Sequence, residues 1–188
     1  INSSGILFGE NASVNVGGLV ATTLSLSDDD FFSGLYQFQS MDGVGGVVNN
    51  GSIHVEPGGY LALISNTVTN NGELVAENGL VQLTLADQVT IVFSESLPAL
   101  AVDKATYQGL VSNNGEIQVG EGMVVMSAAV TDALMQTVVN NEGVIEAQGV
   151  IHQGGRVFLT SSHSGDVINA GDIDVSSSLD AGQVSLIG

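Results

Sequence analysis

The chain has 188 residues, and its 20 acidic and 2 basic side chains give a formal net charge of −18 at pH 7. The two basic side chains, Lys104 and Arg156, cannot neutralise a row of phosphates, so the composition excludes nucleic-acid binding and electrostatic attraction to anionic lipid. A membrane-spanning helix needs about 20 consecutive apolar residues, and no apolar run in the sequence is that long, which excludes direct membrane insertion. The absence of cysteine excludes disulfides and thiolate metal sites.

A motif of Asn, any residue, Gly, any residue and an aliphatic residue recurs along the chain. Within each copy, apolar and polar residues alternate with the period of 2 that is typical of a half-buried strand. The aliphatic residue of each copy is predicted to point inward, at Ile53, Leu74, Ile117, Ile145 and Ile173. The copies are residues 47–55, 68–76, 111–119, 139–147 and 167–175.

A second block, in which Gly precedes alternating apolar residues, follows each copy. It predicts a second strand, and a short apolar stretch before each Asn, such as Val47-Val48, predicts a third. Strands that cannot bury their own inner face bury it by stacking repeats into a solenoid with parallel neighbours. We therefore predict an all-β fold, a right-handed parallel β-helix with three strands per coil. The second blocks are 59–63, 79–83, 122–126, 155–159 and 182–186, and residues 18–22 form a similar block in the first coil.

Equivalent Asn side chains of such a helix lie about 4.8 Å apart, one strand spacing. Each side-chain amide can then hydrogen-bond the amides above and below it. We interpret this predicted column as structural rather than as a ligand site. Its members are Asn49, Asn70, Asn113, Asn141 and Asn169.

The repeats are unevenly spaced, and the extra residues collect at one corner, between the second and third strands. The large insertions are residues 23–46 and 84–110, and a third segment, 127–136, is predicted to be a short helix. The first insertion contains Phe31, Phe32, Tyr36 and Phe38. These rings are expected to form a small cluster under the loop, and the alternative is a sugar-stacking patch.

The run Asp28-Asp29-Asp30 is the densest group of charges, and it is the candidate for a calcium site. It lacks the ligand spacing of known calcium loops, so we expect a solvated loop tip, or an N-cap of a turn that begins near Phe31. The chain is expected to need no metal or cofactor. His54, His152 and His163 lie in different coils and share no metal-ligand spacing, and His54 is expected at the surface. No residues form a catalytic motif, so we predict no enzyme; a β-helical glycosidase is the remaining enzymatic alternative.

The opening segment 1–23 resembles the filamentous-haemagglutinin family of two-partner-secretion exoproteins. That family carries Asn-Pro-Asn-Gly-Ile followed by a stretch that ends in Gly-Leu and Ala-Ser/Thr-Thr. Asn2, Gly5 and Ile6 match the first motif, whereas Ser3 and Ser4 replace its Pro and Asn. The repeats further along, with the long insertion after the third coil, look most like the high-molecular-weight adhesin branch.

The resemblance implies a secretion module of a large bacterial surface adhesin, exported through the periplasm to the cell surface. It implies a partner, an outer-membrane transporter whose periplasmic domains recognise the unfolded chain. It also implies a single domain over 1–188 that lacks an N-terminal cap present in the family. Two alternatives stay open: a glycan-binding module that contacts a polysaccharide or host-cell receptor through insertions 23–46 and 84–110, and the carrier of a contact-dependent toxin or of haem acquisition.

Overall fold

The fold is known from a computed structural model that describes residues 1–41, 45–93, 97–131, 137–149, 154–162 and 165–188. Within these residues the chain forms strands and one five-residue helix. The helix α1 spans Asp28–Phe32. The strands are β1 (Ile6–Phe8), β2 (Ser13–Thr22), β3 (Tyr36–Gln39), β4 (Val47–Asn49), β5 (Ser52–Ser65), β6 (Thr67–Asn70), β7 (Glu73–Val75), β8 (Leu80–Leu85), β9 (Gln88–Val92), β10 (Ala99–Lys104), β11 (Leu110–Asn113), β12 (Glu116–Gln118), β13 (Met123–Ala129), β14 (Thr137–Asn141), β15 (Val144–Glu146), β16 (Arg156–Ser162), β17 (Asp166–Asn169), β18 (Asp172–Asp174) and β19 (Gln183–Ile187).

The strands wind into a parallel β-helix with three faces, as the repeat predicts. One face is the sheet β1-β4-β6-β11-β14-β17. The long strand β5 belongs to both other faces: its first part pairs with β7, which is followed by β12, β15 and β18, and its last part pairs with β8, which is followed by β13, β16 and β19. β2 pairs with β5 in the same manner. Each coil between the first and the last therefore hydrogen-bonds to the coil before it and the coil after it.

The register of the coils follows the sequence repeat. Val68 is paired with Val47 on one side and with Val111 on the other. On the second face, Ile117 is paired with Leu74 and Ile145. Because the pairing aligns chemically equivalent residues, every inward position meets its own copy in the next coil.

The core is a continuous column of aliphatic side chains inside the coils. Ile53, Leu74, Ile117 and Ile145 are fully buried, as predicted. Ile173 is only partly buried and packs against the edge of this core. It lies in β18, the end strand of its face, so a neighbouring strand covers it on one side only.

The two large insertions meet outside the helix. β3 comes from the first and β9 and β10 come from the second, and they form an antiparallel sheet in the order β10-β9-β3. This small sheet covers outward residues of β5 and closes a second apolar core that includes Phe38, Ile64, Val89 and Ile91. The strand β8 continues to Leu85 and β11 begins at Leu110, so the second insertion is 86–109.

Two local predictions are corrected by the structure. Residues Ser127–Ala129, predicted as the start of a helix, extend β13, where their pairing with β16 continues the parallel sheet; the rest of that predicted helix includes 132–136, which lie outside the described residues. The helix in the first insertion begins at Asp28 rather than near Phe31, because the Ser27 side chain accepts a hydrogen bond from the Asp30 backbone and caps it.

Candidate functional site

The predicted asparagine column runs through the interior at the corner that follows the first face. Nδ2 of Asn49 donates to Oδ1 of Asn70 at 2.8 Å, and each Asn donates in the same direction to the next. The steps from Asn70 to Asn113 and from Asn113 to Asn141 are also 2.8 Å, and the step to Asn169 is 2.7 Å. The first four side chains are fully buried. Since buried amides must be hydrogen-bonded, this inner column links five coils by polar contacts.

The glycine two residues after each Asn has a steric cause. A Cβ built on Gly115 lies 2.1 Å from the Gly72 carbonyl oxygen, and one on Gly143 lies 2.0 Å from that of Gly115. These distances are far below van der Waals contact, so only glycine lets neighbouring coils reach strand spacing at this corner. The Asn-x-Gly motif therefore encodes the buried amide and the tight corner together.

A second amide column lies one residue further along, on the outside. Nδ2 of Asn71 donates to Oδ1 of Asn50, and Nδ2 of Asn114 donates to Oδ1 of Asn71, both at 2.8 Å. This outer column points in the opposite direction to the inner one, since each donor lies in the later coil. Asn71 and Asn114 are exposed, and the sequence pattern does not separate this column from the inner one.

His54 is at the surface, as expected, and contacts two neighbours. Its Nε2 lies 2.8 Å from Ser52 Oγ and 3.1 Å from Glu73 Oε2, and the Ser52 hydroxyl donates to the same Glu73 oxygen at 2.6 Å. The Ser52 hydroxyl, followed by His54, holds the pKa of Glu73 below its ordinary value. The Ser52 hydroxyl and the Glu73 carboxylate both contact the same ring nitrogen, Nε2. In the relay of a hydrolase, the acid and the hydroxyl contact opposite nitrogens of the imidazole, so this group is not such a relay.

Acidic residues also stack along the outer face. Glu73 is in register with Glu116, and Glu146 with Asp174. The Asp174 carboxylate accepts hydrogen bonds from the Ser176 backbone and from Gln148, which hold its pKa below the ordinary value. These bonds favour the ionised carboxylate despite the nearby acid.

The matched secretion residues form the first turn and the first strand. Asn2 Oδ1 accepts from the Ser4 backbone at 3.1 Å, and Gly5 donates its N–H to the Asn2 carbonyl. Gly5 has a φ of +119°, a conformation that glycine adopts readily. Ile6 then donates to the Gly46 carbonyl at 2.9 Å and packs against the core. The serines that replace Pro and Asn are thus accommodated in an Asn-initiated turn.

The aromatic residues of the first insertion divide between the core and the surface. Phe38 is buried under the antiparallel sheet, so it cannot contact a glycan, which corrects its place in the predicted patch. Phe38 is thus covered, as expected for a cluster under the loop, whereas Phe31 is 55% and Phe32 84% exposed and neither lies under the loop. Phe31 lies edge-to-face against both Phe32 and Tyr36, at 5.7 and 6.3 Å between centroids.

The exposed cluster also contains two rings from outside the first insertion, which were not among the predicted aromatic residues. Phe93 follows β9 and packs on Tyr36 at 4.9 Å, and Tyr60 of β5 packs on Phe93 at 5.6 Å. Three separate chain segments meet here, so no local pattern indicated the contact. The alternation of Val89 and Ile91 was the available signal that a strand precedes Phe93.

The remaining candidates show no further site. Asp28, Asp29 and Asp30 form the first turn of α1. Negative charges at this end of a helix are stabilised by the helix dipole. Over the described ranges, no group of three or more His, Cys, Asp or Glu could hold a metal ion. His152 and His163 lie outside the described residues. No helix in the described part of the chain is long and apolar enough to cross a membrane.

Comparison with known proteins places these features in a family. The model of the TPS secretion domain matches residues 1–175. The heme/hemopexin-binding protein of Haemophilus influenzae is 29% identical over 183 residues, which cover 86% of this chain and 20% of that protein. The protein of the same name from strain ATCC 51907 / DSM 11121 / KW20 / Rd is 29% identical over 168 residues, covering 85% and 18%. The chain thus spans about a fifth of the length of these relatives.

A solved structure supports the fold. The crystal structure of the HMW1 secretion domain from Haemophilus influenzae superposes with a TM-score of 0.77 and 24% identity, covering 98% of this chain and 55% of that one. Together with the parallel coils, this likeness confirms the predicted β-helix. The family comprises secretion domains of proteins exported by two-partner systems, through the periplasm and an outer-membrane transporter, to the cell surface. Since the family model covers most of the sequence, the chain belongs to the TPS secretion domain family.

Proposed function

We propose that the periplasmic domains of the partner transporter recognise this domain before it folds, and that it folds coil by coil after crossing the outer membrane. The observation that carries this proposal is the state of Asn2, Gly5 and Ile6. In the folded chain they build the first turn and strand, and the next coil pairs with that strand through β4.

In the folded chain Asn2 is exposed and Gly5 and Ile6 are half-buried, and several of their groups make contacts within the coil. The Ile6 side chain packs on the core, and its backbone N–H is bonded to Gly46. Asn2 uses its side-chain oxygen within the turn. We infer that a transporter that binds the Ile6 side chain and backbone N–H binds them in a chain that has not yet coiled.

Two properties of the chain suit such a route. Pairing on the three faces joins each described coil to adjacent coils, so folding can advance from the first coil as the chain emerges. The sequence holds no cysteine, so no disulfide can trap the chain in the oxidising periplasm.

Because the sequence has no cysteine, two introduced cysteines can form a single defined disulfide, and this disulfide provides the test. Glu116 and Val144 are register partners on β12 and β15, and neighbouring strands place their Cα atoms within disulfide range. We expect the double variant E116C/V144C to accumulate in the periplasm when oxidised and to reach the surface when a reductant is added. The assay is surface labelling of cells that carry the complete protein and its transporter.

The single variants E116C and V144C are the controls, and both should be exported with or without reductant. Export of the oxidised double variant at the rate of the single variants would contradict the proposal, since a cross-link between coils would then not hinder passage. Quantifying the disulfide by thiol alkylation in the periplasmic fraction ensures that the locked form is the one measured.

Glycan binding is a second candidate function, favoured by the exposed rings of Phe31 and Phe32. Their edge-to-face packing leaves fewer open ring faces than a flat sugar platform would. A glycan array that compares the domain with F32A tests it, and array signals unchanged by the substitution would count against this patch. The relatives are named for heme and hemopexin binding, and we assign neither that binding nor a toxin to any described residue of this chain.

A further inference from the structure

The outer amide column consists of asparagines that are each followed by glycine, at 50–51, 71–72 and 114–115. In an Asn-Gly step, the glycine backbone nitrogen can attack the asparagine Cγ. The new C–N bond closes a succinimide, the bond from Cγ to Nδ2 breaks, and ammonia leaves with the proton of the attacking nitrogen. Water then opens the ring to aspartate or isoaspartate. The step needs only water, and glycine permits it because it has no side chain beside the attacking nitrogen.

The folded structure blocks each part of this reaction at Asn71. Its Nδ2, the leaving group, donates a hydrogen bond to Asn50, and its Oδ1 accepts a hydrogen bond from Asn114. These two hydrogen bonds keep the side chain from rotating toward its own backbone. The attacking nitrogen of Gly72 donates to the Asn49 carbonyl at 3.1 Å. Gly72 itself is fixed, since a Cβ there would lie 2.0 Å from the Gly51 oxygen.

The two ends of the column are held less firmly. Nδ2 of Asn50 has no hydrogen-bond partner among the described residues, although its Oδ1 accepts from Asn71. Asn114 donates to Asn71, but the next coil has Glu142 at the equivalent place, and that carboxylate accepts from Asn140 instead. Asn71 is therefore the most restrained of the three side chains.

We propose that the outer column is a site of intramolecular deamidation that is open only while the coils are unstacked. A chain that stays unfolded is marked at Asn50, Asn71 and Asn114, whereas stacking protects them, Asn71 most of all. The chemistry is a property of the chain itself and does not depend on the proposed export route.

The direction of the column decides which of these marks harms the fold. Asn71 and Asn114 are donors, so an aspartate in either place faces an acceptor oxygen at the 2.8 Å that a hydrogen bond had spanned. Asn50 acts only as an acceptor in the column, so an aspartate there can still accept from Asn71. Aspartate at 71 also adds charge beside Glu73, which is already in register with Glu116.

The first experiment measures deamidation by peptide mass spectrometry of the purified 188-residue chain, incubated at pH 7.4 in buffer and in concentrated urea. We expect all three sites to deamidate in urea. In buffer, the deamidation rate at Asn71 should be at most about one-tenth of its rate in urea, because cyclisation must wait for local opening of the coils. A rate at Asn71 that is the same in both solutions would overturn the proposal.

The second experiment tests the direction of the column with the matched pair N71D and N50D. We expect N71D to unfold at a lower urea concentration and N50D to unfold close to the unsubstituted chain. Equal midpoints for the two variants would contradict the assigned donor and acceptor roles. If N71D does not fold at all, N114D, which breaks a single link at the end of the column, replaces it in the comparison.

Discussion

At the scale of single residues, the position of an amide decides whether it stabilises the fold. Asn113 is fully buried, and its Nδ2 lies 2.8 Å from Asn141 Oδ1 and 3.4 Å from the Gly115 carbonyl. Asn114, the next residue, is exposed and makes its amide contact in water. Leaving a buried polar atom without its partner costs more than losing an exposed hydrogen bond.

This contrast predicts the effect of removing each side chain. Asn113→Ala leaves the buried oxygen of Asn141 without its donor, so it should lower the free energy of unfolding by about 2–3 kcal/mol. Asn114→Ala should lower it by less than about 1 kcal/mol. Urea unfolding measures both, and equal losses would show that burial does not govern the column.

The carboxylate of Glu73 links stability to pH. Its pKa is lowered by the Ser52 hydroxyl and by His54, so the fold favours the ionised form. This contribution is fully present above the ordinary pKa of 4.5, and it is lost as the pH falls through the lower value in the folded chain. Because the side chain is 40% exposed, solvent screening limits it to about 1 kcal/mol or less.

We therefore expect Glu73→Gln to lower the free energy of unfolding at pH 7 and to have a smaller effect at pH 3. Unfolding curves at the two pH values measure the difference. The control is Glu121→Gln, which replaces an exposed glutamate. It should change the free energy of unfolding by a similarly small amount at the two pH values. A Glu73→Gln loss that is the same at pH 3 and pH 7 would refute the linkage.

At the scale of elements, the repeating corners require glycine. Gly115 lies against the Gly72 carbonyl, whereas nothing lies within 4 Å of a Cβ built on Gly9. Gly115→Ala must push two coils apart and should cost about 2 kcal/mol or more, in the range of overpacked cores. Gly9→Ala should be neutral or slightly stabilising. Thermal unfolding of both variants checks this, and a harmless Gly115→Ala would disprove the close approach.

The antiparallel sheet fixes the insertions to the helix through Phe38. This ring is 5% exposed, in the core that the sheet closes over β5. Phe38→Ala should therefore lower the free energy of unfolding by about 3 kcal/mol. Phe32→Ala, which removes the same ring at 84% exposure, should change it by about 0.5 kcal/mol or less. Similar unfolding midpoints for the two variants would mean that the sheet does not anchor the insertion.

The elements also show what the sequence can and cannot predict. The coils were predictable because Asn, Gly and inward aliphatic residues recur at corresponding places, so each copy supports the others. The small sheet was not, because β3 and β9 lie in different insertions and pair at long range. The buried place of Phe38 follows from that pairing, and so does the meeting of Tyr36 with Phe93. The N-cap at Ser27 was a local signal, and the predicted turn near Phe31 lay too late in the chain.

At the scale of the whole molecule, stability is divided among contacts between successive coils. The inner column runs through the coils in one direction and the outer column in the other, so each central coil has amide links to both neighbours. The net charge of −18 opposes compaction, and within the described ranges the one lysine–carboxylate ion pair is Lys104 with Asp87. The apolar core and the buried amides therefore hold the domain together.

The most direct test of this account follows the side-chain amide protons by NMR after transfer into D₂O. Asn70 and Asn113, fully buried in the central coils, should keep their side-chain signals long after transfer. The exposed amides of Asn71 and Asn114 should lose theirs much earlier than the buried amides do. Equally rapid exchange from both columns would contradict a fold whose coils are joined by a buried ladder of amides.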